Sequence, residues 1–450
     1  MRCRRRAVHS KLPRRSALRL LTALATVAAP GSFNLSHARH VDPPATSRNN
    51  SALFITSKTP ELPTPRRIRR VRTSRQLLRA LAHALPGDHI ILEDGIYHKT
   101  ITIRAKGTRD NPIVIRARSI LRAKCYAGVR FSEDSSYVIV WGLDMTGAEN
   151  VLAGTRNVIR RCLVWPPFRS EGVSVGIRAL KGSECRIDYC EIRLHTTSEV
   201  IRKYGRLWGK SVYSGIWGNY SKNRLPRGKF MKGLMIERCL FKGGPRGTNY
   251  HRPNCQFVEA QGPYPWTVRY PVNWSIVLCY GEVERDMTLF DLKAGNITMR
   301  SVQLDSTGGI IQLRNGFGHK IIDCRFPKAN IVINRHDHRI EGTEAKSIVL
   351  IAGNKPHDSA VRGAYYSAHG VHIEKCASRV LVGQPRGRGV HYPASNNRIL
   401  DVSGPIVLKL HAKTKIKNVG GQTLLPGVVV NKRDVGVQAI WRGITSFEAV

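Results

Sequence analysis

The chain has 450 residues, 42% of them apolar, and a formal charge of +42. That length suits one elongated repeat domain with a large core, and the charge attracts polyanions: nucleic acid, anionic lipid or acidic polysaccharide. The basic residues are spread over the whole chain, as an arginine-rich genome alone would also leave them. No zinc-finger, homeodomain or RNA-binding signature occurs, which argues against a nucleic-acid partner.

The first 38 residues open with a basic cluster, carry an apolar run from Ala17 to Ala29, and end in Ser-His-Ala at Ala38, with no acid before Asp42. This is the layout of a signal peptide over 1–38 and predicts a secreted or periplasmic protein. Arg14-Arg15 weakly resembles a twin-arginine signal, and an Arg-rich organelle transit peptide is the rival reading. No segment offers the ~20 apolar residues of a membrane span. Residues 39–72, rich in Pro, Ser and Arg, read as a basic linker.

The main domain is expected over 73–450. It opens with a capping helix over 73–85: Thr73 and Ser74 are N-cap candidates, Leu77, Leu78, Leu81 and Leu85 share a face, and Pro86-Gly87 stops it. Short strands follow, separated by glycine turns, in "HIILEDGIY", "TITIRAKGTRDNPIVIRA" and "YVIVWGLDMTG". Six cysteines then share the frame Ile-x-x-Cys, ending at Cys162, Cys190, Cys239, Cys279, Cys324 and Cys376. In "NITMRSVQL", Ser301 is read into the same slot, 22 residues after Cys279 and 23 before Cys324.

A period of this length is one coil of a solenoid. The expected fold is therefore all-β, a single-stranded right-handed parallel β-helix running from about residue 86 to about 440, plugged by the short helix. Equivalent residues on stacked coils lie ~4.8 Å apart, so a cysteine recurring in one slot reads as core packing and not as a disulfide framework. Cys3, Cys125, Cys185 and Cys255 fall outside the frame.

Several stretches resemble a known family. "LLRALAHALPGDHIILEDGIY", "KGTRDNPIVIRA" and "SSYVIVWGLDMTG" look like the N-terminal coils of the polysaccharide lyases of the chondroitinase B and alginate lyase type (family 6). The resemblance continues through "CRIDYCEIRLH", "MIERCLF" and "DMTLFDLKAGNITMRSVQLDSTGGIIQLRNGFGHKIIDCRF", and covers roughly residues 74 to 330. It implies that Lys293 is a proton-abstracting base and that Arg314, 21 residues on and hence one coil away, assists at the same centre. It also implies a Ca²⁺ site built from acids seven and five positions before the lysine and an upstream asparagine. Those places hold Asp286, Thr288 and Asn254, with Asn249 the alternative to Asn254. Leu292 and Asn315 stand where the family has Ser and His; Asn315 is kept as a substrate-facing residue.

The chemistry so implied is β-elimination on a uronate polymer such as alginate or a dermatan-type glycosaminoglycan. A base removes the C5 proton, and the bond to the 4-oxygen breaks without water. A lysine serves when a neighbouring cation and partial burial ease the loss of its proton. With Thr288 in place of an acid, the calcium site is weakened, and the excess positive charge is expected to take over part of its role. Aromatics between the cysteine coils (Tyr204, Trp208, Tyr213, Trp217 and Tyr220, then Tyr264, Trp266, Tyr270 and Trp274) line a sugar cleft or pack on the solenoid flank; Trp266 and Trp274 are the substrate-facing candidates. The run His336-Asp337-His338 alternates faces on a strand and does not converge on one ion. The alternative function is a non-catalytic β-helix that binds acidic glycans or cell surfaces.

Overall fold

The structure is a computed structural model that describes residues 60–168, 172–204, 211–218, 230–244, 255–260, 271–283, 288–306, 308–314, 316–352, 367–385, 394–408 and 412–419. Every strand pairing in it is parallel, and the strands form two long sheets, of 14 and 21 strands among the described residues. The isoleucine of the cysteine frame is the element that stacks. Ile90, Ile115, Val140, Ile159, Ile187, Ile236, Ile276, Met299, Ile321, Ile340, Ile373 and Ile399 lie opposite one another from coil to coil. Each has 0% exposure, and burying one such side chain stabilises by roughly 1.5–3 kcal/mol. This row is the spine of a right-handed parallel β-helix.

The cysteine slot follows three residues later. Cys162, Cys190, Cys239, Cys279, Cys324 and Cys376 are buried, free thiols. Each Sγ approaches the carbonyl two residues back, at 3.2 to 3.5 Å. Thr343 fills the slot of its own coil and does the same with its hydroxyl, 2.9 Å from the Glu341 carbonyl. The slot therefore favours a small side chain with a proton to donate.

Ser301 does not occupy it. Met299 lies opposite Ile276 and Ile321, which puts Val302 level with Cys279 and Cys324; the Gln303 N–H bonds the Cys279 carbonyl and the Arg325 N–H that of Val302. Ser301 is the residue before the slot and has φ +51°, like Arg161, Tyr189, Arg238, Leu278, Asp323 and Lys375 in other coils (φ +51° to +55°). The chain turns there in the left-handed region, which costs a non-glycine residue roughly 1–2 kcal/mol. The small polar serine imitated a cysteine one place too early.

The N-terminal end also departs from expectation. Arg67–Val71, assigned to the linker, is a strand that pairs in register with Asp88–Leu92, and Arg67 grips Asp88 through Nε and Nη2 at 2.9 and 2.6 Å. The helix Ser74–Ala82 lies between these strands, buries Leu77, Ala80 and Leu81, and is capped by Thr73, whose side chain accepts from the Gln76 N–H. It ends three residues early, leaving Leu85 59% exposed. A second helix, Thr197–Tyr204, follows a reciprocal cap that the sequence carries as Thr-x-x-Glu: Glu199 accepts from the Thr196 N–H at 2.7 Å and Thr196 Oγ1 from the Glu199 N–H at 3.3 Å.

Candidate active site

Three strand ends build the site. Ala260, Leu292 and Leu313 close the strands Cys255–Ala260, Thr288–Leu292 and Ile310–Leu313, lie opposite one another and point into the core. The preceding residue on each strand, Glu259, Asp291 or Gln312, faces the other way. The following residues on the second and third are Lys293 and Arg314; their N–H groups bond the Ala260 and Leu292 carbonyls at 2.9 and 3.1 Å, each one coil back. The stack thus brings Lys293 and Arg314 together on neighbouring coils.

They meet on a carboxylate. Arg314 holds Asp291 through Nε to Oδ1 at 2.9 Å and Nη2 to Oδ2 at 2.7 Å. Lys293 Nζ is 3.0 Å from the same Oδ2 and 2.5 Å from Glu259 Oε1, and Gln256 donates to Asp291 at 3.2 Å. Asp291 is fully buried and Glu259 nearly so, while Lys293 and Arg314 keep 14% and 25% of their side chains exposed. Buried carboxylates are tolerated when paired and hydrogen-bonded in this way. An ammonium has three donors and a guanidinium five. Among the described residues, one Lys293 proton and the Arg314 Nη1 group have no protein partner, so the pair can still take an anion at its exposed side.

Sequence reasoning expected the two cations on neighbouring coils, where they lie, and did not name the two acids. Asp291 sits two residues before Lys293, so strand alternation was a usable signal. Glu259 is 34 residues upstream and becomes a neighbour only through stacking. The expected influence on Lys293 was a neighbouring cation; within hydrogen-bond reach it has two carboxylates, and Arg314 acts on it across Asp291.

The outward row continues away from the cations. Trp217 lies opposite Glu259 and Arg178 opposite Trp217. Arg178 covers the Trp217 ring at 4.6 Å and grips Glu149 at 2.9 and 2.6 Å. Trp274, expected to face substrate, is 1% exposed. Its indole N–H bonds the Met231 carbonyl at 2.9 Å, and its ring lies where a Cβ on Gly218 would come within 2.5 Å; it is a core residue. Tyr213 is buried as well. Trp266, Asn315, Asp286, Asn254 and Asn249 lie outside the described residues, as do Tyr220, Tyr264 and Tyr270.

The calcium donors expected from the sequence, Thr288 apart, fall outside the described residues. Among the described residues no three His, Cys, Asp or Glu side chains gather as metal ligands. The acids at the site, Asp291 and Glu259, already carry Lys293 and Arg314. His336-Asp337-His338 does not lie on a strand but between the strands Arg325–Ile333 and Arg339–Glu341, with Asp337 at φ +60°; His336 bonds Asp337 at 2.6 Å, whereas His338 is buried and stacks on His319 at 4.9 Å.

No family model and no curated protein sequence matches the chain. Solved structures do. A mannuronic-acid-specific family 6 polysaccharide lyase from human gut microbiota superposes with a TM-score of 0.59 at 16% identity, over 76% of this chain and 83% of its own. The family 6 alginate lyase AlyGC gives 0.59 at 13%, over 82% of this chain and 58% of its own. Pedsa3628 from Pseudopedobacter saltans, another family 6 polysaccharide lyase, gives 0.54 at 13%, over 82% and 99%. The fold is that of the family 6 polysaccharide lyases. At these identities the likeness is one of fold; on this family 6 fold the chain places a lysine, an arginine and two carboxylates at adjoining strand ends. Among the described residues no helix is long and apolar enough to cross a membrane.

Proposed function

We propose that the protein is an exported polysaccharide lyase that cleaves a uronate-containing polymer, such as alginate or a dermatan-type glycosaminoglycan, at the Lys293–Arg314 pair. The observation that carries this is the convergence of Lys293 and Arg314 on Asp291 Oδ2 from adjacent coils, on a fold shared with lyases of that chemistry. Arg314 Nη1 takes the uronate carboxylate. Lys293 passes a proton to Glu259, 2.5 Å away, and its free amine removes the C5 proton. The electron pair enters the ring as a C4–C5 double bond while the C4–O bond breaks. The leaving oxygen is protonated by the reformed ammonium, and Glu259 returns its proton to the amine. Carboxylate binding by Arg314 supports the developing enolate, and Arg314 takes over part of the calcium role. Residues 1–38 serve as the export signal.

The test is ultraviolet absorbance of the unsaturated uronate product with alginate, dermatan-type and pectic substrates, with and without chelator. Product from the wild type and none from Lys293→Ala supports the reading. A second reading is favoured by one observation: Asp291 and Glu259 already neutralise both cations, which suits a binding module for acidic glycans. Folded protein that binds such polymers and yields no product decides for it.

A further inference from the structure

Beside the isoleucine spine of the 14-stranded sheet runs a second row, one residue earlier on each strand. In early coils it holds Val114, Ile139 and Val158. Later it turns basic: Lys320 lies opposite Arg339, Arg339 opposite His372, His372 opposite Arg398, and Lys415 holds the next place in register. Lys320, Arg339 and Arg398 are exposed and His372 is half-buried. Glu341 and Glu374 stand beside Arg339 and His372 at 2.7 and 3.2 Å; among the described residues Lys320 and Arg398 have no carboxylate partner.

A merely solvated face has no need of this pattern. Like charges directly opposite on adjacent strands are destabilising by up to ~1 kcal/mol each. The same sheet elsewhere sets opposite signs face to face, as with Arg160 and Asp188 at 2.8 Å. We propose that the Lys320–Arg339–His372–Arg398 row is a binding track for an extended acidic polysaccharide laid along the solenoid axis, on a different sheet from the Lys293–Arg314 pair. The members of the row repeat at the strand spacing of ~4.8 Å. An extended polyuronide presents one carboxylate per sugar at close to that interval along a straight line, whereas successive phosphates of a duplex strand advance about 3.4 Å along the axis while winding round it. The track holds the polymer while the strand-end site acts on it, so its partner class rests on the function proposed above.

The experiment is binding of size-defined polyuronide oligomers across a salt series, using the full chain and a Lys320→Gln, Arg339→Gln, Arg398→Gln variant. A second variant, Arg72→Gln, Arg75→Gln, Arg79→Gln, removes equal charge from exposed positions at the N-terminal end. The track variant should bind more weakly, with a log–log salt slope shallower by about 2, since each lost contact contributes about 0.7. Its melting temperature at low salt should not fall, because repulsion is relieved. Equal weakening in the Arg72/Arg75/Arg79 variant overturns the proposal, as does single-stranded DNA binding as tightly with the same dependence on the track. Track-dependent binding by a wild type that forms no unsaturated product overturns the lyase reading and leaves the track standing. Product formation with binding unchanged in the track variant does the reverse.

Discussion

Asp291 has no exposed surface and yet receives Arg314, Lys293 and Gln256 at once. Removing it strands two cations beside a nearly buried glutamate. Asp291→Ala is expected to lower stability by about 3–5 kcal/mol, the range for breaking a buried ion pair, measured by denaturant unfolding. Glu259→Gln keeps the shape but cannot take the Lys293 proton; product formation should fall roughly 10²–10⁴-fold, the scale of a lost acid–base group, with folding intact by circular dichroism. These acids also mark the limit of legibility at this scale. A spacing of 21 residues pointed to Lys293 and Arg314 as neighbours, but Glu259 joins them through the stacking of coils, and no local pattern announces that.

At the scale of the element, buried hydrogen-bonding side chains recur at one turn. Asn157 accepts the Val138 N–H and Asn397 the Val371 N–H, at 3.0 and 2.9 Å. In the coils between, His319 and His338 take this part through Nδ1, accepting from Ile297 and from His319 at 3.3 and 3.2 Å. Burial holds His319 down at about 3 and His338 well below its ordinary value of 6.5. Both are neutral when folded, and the unfolded chain takes up their protons first. Their contribution is therefore whole above pH 6.5 and is lost as pH falls through 6.5 towards about 3. His319→Asn keeps the acceptor without the titration, so its stability should decline less over that window in denaturant melts at stepped pH. The cysteine slot makes a second prediction. Burial pushes the Cys324 and Cys376 thiols up to about 12, so a thiol reagent should label them only after unfolding. Cys324→Thr should cost under ~1.5 kcal/mol, because Thr343 already fills the equivalent place.

For the whole molecule, the solenoid was readable because its spine repeats one residue type at one spacing. The slot was misread at a single coil because Val302 breaks the cysteine series while Ser301, one place earlier, resembles it. The starting boundary was misread because Arg67–Val71 has the composition of a linker and becomes a strand only by pairing with Asp88–Leu92. The formal charge of +42 acts at this scale too. Self-repulsion opposes the compact state, and the screening length shrinks from about 30 Å at 0.01 M to about 8 Å at 0.15 M salt. The melting temperature is expected to rise over that range by differential scanning fluorimetry in a non-binding salt; a fall would mean that specific ion pairs outweigh the net charge.

Glu259 and Lys293 are separated by more than thirty residues in sequence, yet their separation in space is set by two strand ends one coil apart. Between them in sequence lie Trp274, Ile276 and Cys279, which fill the core and carry the isoleucine row through to the next coil. The spacing of the paired groups is thus held from inside: a coil that contributes nothing to the pair keeps the pitch at which its two halves meet. A cavity made at Ile276 would therefore reach Glu259 and Lys293 without touching either of them.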